Sequence, residues 1–257
     1  MSSKDGVSRT LITALALCLV CSIIVSAAAV LLKPAQEANK TLDRKRNILA
    51  AAGMLDESKT IDEQFAQISA RVVDLRTGKF SDDVDPEEYN QKKAAKDPAQ
   101  SLDLTAEQDS AKIGRRENYA VVYLLESAPE QFEKIILPVR GYGLWSTLHG
   151  FVALEADGNT IAGLGFYEHG ETPGLGGEVD NPRWKSLWPG KQVYRDGSVE
   201  IGLIKGAVNP QGDDALWQVD GLSGATLTST GITNLVQFWL GEDGFQEFLN
   251  NLKSGEV

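Results

Sequence analysis

The sharpest pattern in the chain is a block rather than a period. Leu11 to Leu32 reads LITALALCLVCSIIVSAAAVLL. That is an uninterrupted run of roughly 22 uncharged residues, enough to cross a hydrocarbon core of ~30 Å as one helix. Lys4 and Arg9 precede it, and Lys33 and Pro34 close it. A cleaved signal peptide is the rival reading, because Ala27, Ala28 and Ala29 place small residues at a cleavage position. Val30, Leu31 and Leu32 carry the apolar run past that position, which favours a retained transmembrane helix. Leu17 and Val20, ahead of Cys18 and Cys21, exclude a lipoprotein site, which needs small residues there.

After this block the pattern becomes shorter and mixed. Residues 35–57 have helical composition with a break at Gly53, which predicts a juxtamembrane helix. Ala70 to Lys79 predicts a strand with a turn. Residues 81–113 are polar, contain Pro86 and Pro98, and read as an irregular excursion. From about Glu117 apolar runs return. Tyr119–Leu125, Phe132–Pro138, Gly150–Glu155, Thr160–Tyr167 and Val199–Lys205 predict strands, with Asp157-Gly158-Asn159 as a hairpin turn. Pro182–Leu187 predicts a short helix, and Thr230–Leu240 and Asp243–Leu252 have helical periodicity. Strands followed by helices without strict alternation predict an α+β domain with a mainly antiparallel sheet.

Charge and cysteine content narrow the function. The chain of 257 residues carries a formal net charge of −11. Lys4, Arg9 and Asp5 leave +1 in residues 1–32, so residues 33–257 carry −12. Nucleic acid is excluded as a partner, since phosphate binding needs an excess of Lys and Arg. Orientation is undecided by charge: Lys33, Lys40, Arg44, Lys45 and Arg46 favour a cytoplasmic bulk, while the basic N-terminus suits an exported signal-anchor. Cys18 and Cys21 lie within the apolar run and read as lipid-facing fillers, so no cysteine remains for a zinc site or an iron–sulfur cluster. His149 and His169 are the only histidines, too few for a histidine metal site.

Three short segments carry candidate chemistry. Asp220-Gly-Leu-Ser-Gly-Ala-Thr-Leu-Thr-Ser229 combines small residues and hydroxyls just before a predicted helix. A helix N-terminus offers free N–H groups and partial positive charge, and small residues admit a phosphate to them. Helix capping by Thr228 or Ser229 is the plainer alternative. His169-Gly-Glu-Thr-Pro-Gly-Leu-Gly-Gly-Glu178 suits either a ligand wrap or a Pro-Gly turn. In Gly141–Thr147, Trp145 beside glycines offers a flat wall for an aromatic ring or a core anchor. Trp184, Trp188, Trp217 and Trp239 read as core residues. Gly221-Leu-Ser-Gly-Ala225 imitates a hydrolase elbow, but Ala225 replaces the last glycine and no histidine follows Ser223. There is no Walker sequence and no dinucleotide-binding G-x-G-x-x-G.

Ser223-Gly224-Ala225-Thr226, with Asp220 ahead of it, resembles the flavinylation motif of FMN-binding domains. Joined to GLWSTLHGFVAL at 143–154 and GETPGLGGE at 170–178, behind one membrane helix, it resembles the C-subunit family of sodium-translocating NADH:quinone oxidoreductases. The G subunit of Rnf-type ferredoxin:NAD complexes is the alternative, with a similar flavin domain. The resemblance implies FMN joined by its phosphate to Thr226, with Asp220, Ser223, Gly224 and Ala225 as recognition and approach residues. It implies Trp145 and Leu175 beside the ring, and Glu171 and Thr172 in the loop that meets the flavin. A separate FMN transferase would install the cofactor, with FAD as donor. No catalytic side chain and no metal are implied, since the flavin carries the chemistry.

The resemblance implies a cytoplasmic N-terminus (1–10), a transmembrane helix (11–32), a juxtamembrane and polar region (33–116) and a periplasmic FMN-binding domain (117–257). The role it implies is an electron carrier in a six-subunit NADH:ubiquinone reductase of the inner membrane that exports sodium. The sequence shows no nicotinamide site and no intramembrane ionisable residue, so neither NADH binding nor the sodium path is expected in this chain.

Overall fold

The computed structural model describes residues 6–128 and 131–257. The chain divides into two compact units, one ending at Arg44 and one from Lys45 to Val257.

Helix α1 spans Val7–Ala51 and bridges that division. The apolar run lies inside it, and its leucines and isoleucines face outward on every side, from Leu11 to Leu32. The helix is long and apolar enough to cross a membrane. Lys33 and Pro34 end the apolar run but not the helix, which continues as one element through the juxtamembrane segment. Proline removes one backbone donor, yet the flanking Ala, Leu, Lys, Arg and Glu residues are strong helix formers. Gly53, at φ +66°, stops the helix, and the Met54 amide reaches back to the Leu49 carbonyl at 2.8 Å. That wrap closes a helix end in the left-handed manner glycine allows.

The second unit is built on a six-stranded sheet. Its strands are β1 (Ile68–Asp74), β2 (Lys79–Phe80), β3 (Tyr119–Ala128), β4 (Gln131–Tyr142), β5 (Thr147–Glu155) and β6 (Ile161–Glu168). Their order across the sheet is β2-β1-β3-β4-β5-β6, and every neighbouring pair is antiparallel. The β5–β6 hairpin turns where the sequence places it. Gly158 takes φ +59°, and the Asp157 carboxylate accepts the Asn159 and Thr160 amides at 2.8 Å each.

Both faces of the sheet are covered, which explains why Tyr119–Leu125 is continuously apolar rather than alternating. On one face Val121, Tyr123, Ile136, Phe151 and Ala153 pack with Ile48, Leu49, Ala51 and Ala52 from the end of α1. A Cβ on Gly163 would strike the Ala51 carbonyl oxygen, so glycine there sets the approach of helix to sheet. On the other face Ala120, Val122, Leu124, Ile135, Leu137 and Val152 join the C-terminal helices. These are α2 (Thr226–Leu240) and α3 (Gln246–Ser254). Trp239 of α2 donates its indole N–H to the Arg140 carbonyl at 2.7 Å, locking α2 to β4.

The sheet recruits Ile68–Asp74, which pairs with Tyr119–Leu125, so residues 45–116 share one unit with the C-terminal part. Long-range pairing decides this, and no local pattern encodes it. The polar excursion is also stitched down. Ser101–Asp103 pairs with Arg115–Glu117. Glu117, fully buried, meets Arg140 at 2.6 Å and accepts a bond from Gln91 at 2.6 Å.

Candidate functional site

Beyond β6, the chain enters strands β7 (Gly202–Ile204) and β8 (Gln218–Asp220), which pair in parallel. A short loop from Gly221 then leads into α2. The sequence places this helix start near Thr230; the structure places it at Thr226, four residues earlier. Capping by Thr228 or Ser229 is thereby excluded, because both lie inside the helix and are buried. Ala225 occupies the N-cap position and makes no side-chain cap. The first-turn N–H groups and the positive end of the helix dipole are thus left to other partners.

The hydroxyls of this turn separate by helical phase. Thr226 and Thr228 lie about 200° apart around the axis. Thr226 is exposed, whereas Thr228 is 1 % exposed and donates to Glu171 Oε2 at 2.7 Å. Ser229 accepts the Leu222 amide at 3.0 Å and so holds the approach loop. Ser223 and Gly224 are exposed, and Ala225 is buried. Gly224 takes φ +72°, and a Cβ there would crowd the Leu175 side chain at 3.1 Å. Asp220 serves the frame: its carboxylate accepts the Val208 amide at 2.8 Å, and its carbonyl accepts the Trp184 indole at 3.0 Å.

The second loop, His169–Glu178, folds back on itself. The Thr172 carbonyl accepts the Leu175 and Gly177 amides at 3.1 and 2.8 Å. Thr172 and Leu175 face solvent, Leu175 being 44 % exposed. His169 Nδ1 accepts the Glu171 amide at 3.2 Å, and its Nε2 lies 2.8 Å from Asp180. The ring proton therefore sits on Nε2.

Glu171 joins the loops. Its Oε1 accepts three consecutive amides, from Leu144, Trp145 and Ser146, at 3.1, 3.0 and 3.2 Å. Burial works against the charged form, but the Thr228 hydroxyl and these amides outweigh it and hold the carboxyl below the ordinary glutamate range. The third loop is the β4–β5 turn, which carries Trp145 at 67 % exposure. Trp184, Trp188 and Trp239 are buried as expected, whereas Trp217, also expected in the core, is only half-buried with its indole N–H on the Tyr194 carbonyl at 3.1 Å, and Trp145 is the most exposed of the five.

Sequence reasoning missed Leu227, which is 61 % exposed beside Thr226, and the inward role of Thr228. A correctly placed helix start would have revealed both. Together these features fit a bulky phosphate monoester with a flat apolar head. Thr226 and uncapped amides suit the phosphate, and Trp145, Leu175 and Leu227 are apolar surface that water covers poorly.

The FMN-binding domain family matches residues 143–241, which contain all three loops. The chain is 55 % identical to the C subunit of the Na(+)-translocating NADH-quinone reductase of Pseudomonas aeruginosa, covering 100 % of both chains. It is 50 % identical to the same protein of Vibrio anguillarum, covering 99 % of this chain and 98 % of that one. Among solved structures, NqrC of Shewanella oneidensis aligns with a TM-score of 0.77 at 38 % identity, over 84 % of this chain and 99 % of that chain. The C subunit from Parabacteroides distasonis aligns with a TM-score of 0.65 at 27 % identity, over 85 % and 96 %. The chain belongs to the family of Na(+)-translocating NADH-quinone reductase C subunits.

Proposed function

We propose that this protein is a tethered electron carrier whose FMN is attached to Thr226 by a phosphoester bond. One observation carries the reading. Thr226 is the first residue of an uncapped helix, and its side chain faces solvent while Thr228 and Ser229 turn inward. A phosphate joined to Thr226 lies against the positive end of the helix, where backbone donors offset its charge. FMN supplies reversible electron transfer when bound; the protein supplies place, apolar walls and field.

Each loop has a role in that reading. Gly224 and Ser223 keep the approach to Thr226 open. Trp145, Leu175 and Leu227 flank the ring and exclude water, with Thr172 at its loop edge. Asp220 holds the frame of the approach loop through Val208 and Trp184. An FMN transferase installs the cofactor from FAD, the Thr226 oxygen displacing AMP at the FMN phosphorus.

In the assembled reductase the protein passes electrons, taken originally from NADH, toward ubiquinone, coupled to sodium export by the other subunits. Helix α1 anchors it in the inner membrane, and the flavin domain faces the periplasm. A covalent link suits that compartment, because a dissociated flavin would be lost there.

The test is co-production of the full chain with an FMN transferase, followed by denaturing electrophoresis and mass spectrometry of the Thr226 peptide. In-gel flavin fluorescence and an added FMN phosphoryl mass on Thr226 are expected. A dark wild type, or a Thr226→Val variant that still fluoresces, refutes the assignment.

A further inference from the structure

We propose that Glu171 does not touch the flavin but positions its site. Its buried carboxylate staples the Trp145 turn to the first turn of α2. This inference rests on the FMN reading of Thr226. A carboxylate has about four lone-pair sites, two on each oxygen, and here three donors crowd onto Oε1 while one reaches Oε2. Oε1 takes the amides of Leu144, Trp145 and Ser146, and Oε2 takes the Thr228 hydroxyl. At 4 % exposure little of the side chain is left for a ligand.

The surroundings are shaped to this carboxylate. A Cβ on Gly143 would lie 2.7 Å from Oε1. A Cβ on Gly176 would lie 2.8 Å from Oε2 and 2.6 Å from the Thr228 hydroxyl. Neighbouring bonds fix the residue's own backbone: the Glu171 amide goes to His169, and the Gly170 amide goes to Ser146 Oγ at 2.6 Å. All four donors to the carboxylate are neutral, so the negative charge is spread over dipoles rather than cancelled by a cation.

Two geometric consequences follow. The bond to Thr228 fixes the rotational phase of the first turn of α2, which turns Thr226 outward. The bonds to residues 144–146 fix the turn that presents Trp145. One side chain therefore sets both the anchoring hydroxyl and the wall for the ring. Glu171 is a positioning residue, not a catalytic one.

The test compares full-length wild type with Glu171→Ala, Glu171→Gln and Thr228→Val. Amide hydrogen exchange is read on protein made without the transferase, and Thr226 flavinylation on protein made with it. For Glu171→Ala, exchange at 144–146 should quicken on the order of tenfold or more while β3 and β4 stay protected. The flavinylated fraction should fall severalfold. Glu171→Gln should rescue part of both, since its oxygen keeps the amides and its NH2 can donate to Thr228. Thr228→Val should lower flavinylation while leaving exchange at 144–146 near wild type.

Unchanged exchange at 144–146 in Glu171→Ala overturns the staple. Lost protection with wild-type flavinylation and a wild-type visible circular dichroism band overturns its positioning role. If Glu171→Ala does not fold, Glu171→Gln and Thr228→Val decide by the same readouts. A dark wild type overturns the FMN reading instead, and the exchange measurement on flavin-free protein still decides the staple.

Discussion

Two groups of outward-facing large apolar side chains in this chain differ in kind. Along α1 the exposed leucines, isoleucines and valines run without a break and surround the helix. In the folded unit, Trp145 and Leu175 are exposed on two loops and Leu227 on the first turn of α2, and these elements are joined through Glu171, Thr228 and Gly224. Uniform exposure around a helix is what a hydrocarbon solvent selects. A cluster of exposed apolar side chains beside a helix N-terminus is what a bound aromatic anion selects. Hydrophobicity alone does not separate the cases; the polar atoms around each patch do.

The contrast breaks most completely at Thr226. Thr226→Val should abolish covalent flavin, read as loss of in-gel fluorescence. Its effect on unfolding should stay within about 0.5 kcal/mol, because the residue is exposed.

Two tryptophans test the line between core and ligand surface. Trp188 is fully buried, so Trp188→Ala should cost about 3–5 kcal/mol in denaturant unfolding of the flavin-free protein. Trp145→Ala should cost under about 0.5 kcal/mol in the same experiment. It should instead brighten the bound flavin by removing an aromatic neighbour. An equal stability loss at both positions would show that Trp145 is a core residue.

The tether is tested by charge. Val20→Arg places a cation near the middle of the apolar run, at a cost of roughly 2.5–3.5 kcal/mol for insertion. Carbonate extraction should release more of this variant than of wild type, while flavinylation of the protein that remains inserted is unchanged.

A pH effect also separates the two regions. Burial, followed by the positive charge of Lys92, pushes the His149 imidazole down to about 4. The unfolded chain takes up that proton near 6.5. His149 therefore destabilises the fold progressively as pH drops from about 6.5 to about 4, and contributes no such loss above that window. Thermal melts of wild type should fall more steeply through the window than those of His149→Gln. Membrane retention should not change, since the apolar run from Leu11 to Leu32 has no acidic, basic or histidine side chain.

Much of this was legible in the chain. The membrane helix follows from block hydrophobicity, and the antiparallel sheet follows from short apolar runs separated by turns such as Asp157–Asn159. The outward Trp145 stood apart from the buried tryptophans because Gly141 and Gly143 precede it. The site loops were legible as unusual composition, and their resemblance to a flavinylation motif was legible as sequence. Other features were not. Nothing local ties Ile68–Asp74 to Tyr119–Leu125, or Glu117 to Arg140 across the polar excursion.

What the sequence determined by itself are properties of short stretches: length of apolar block, period, turn chemistry and the order of small and hydroxyl residues. Those depend on neighbours within a few positions, so a linear reading reaches them. The motif resemblance singles out Thr226, but only the tertiary structure shows that it is the threonine turned outward. Thr226 and Thr228 stand two residues apart with the same side chain, and composition cannot rank them. Glu171, more than fifty residues upstream, claims Thr228 through a buried hydrogen bond and turns the helix so that Thr226 is exposed. The physical reason is that a buried carboxylate needs its donors wherever the fold can bring them, and satisfying it fixes the geometry of everything it holds.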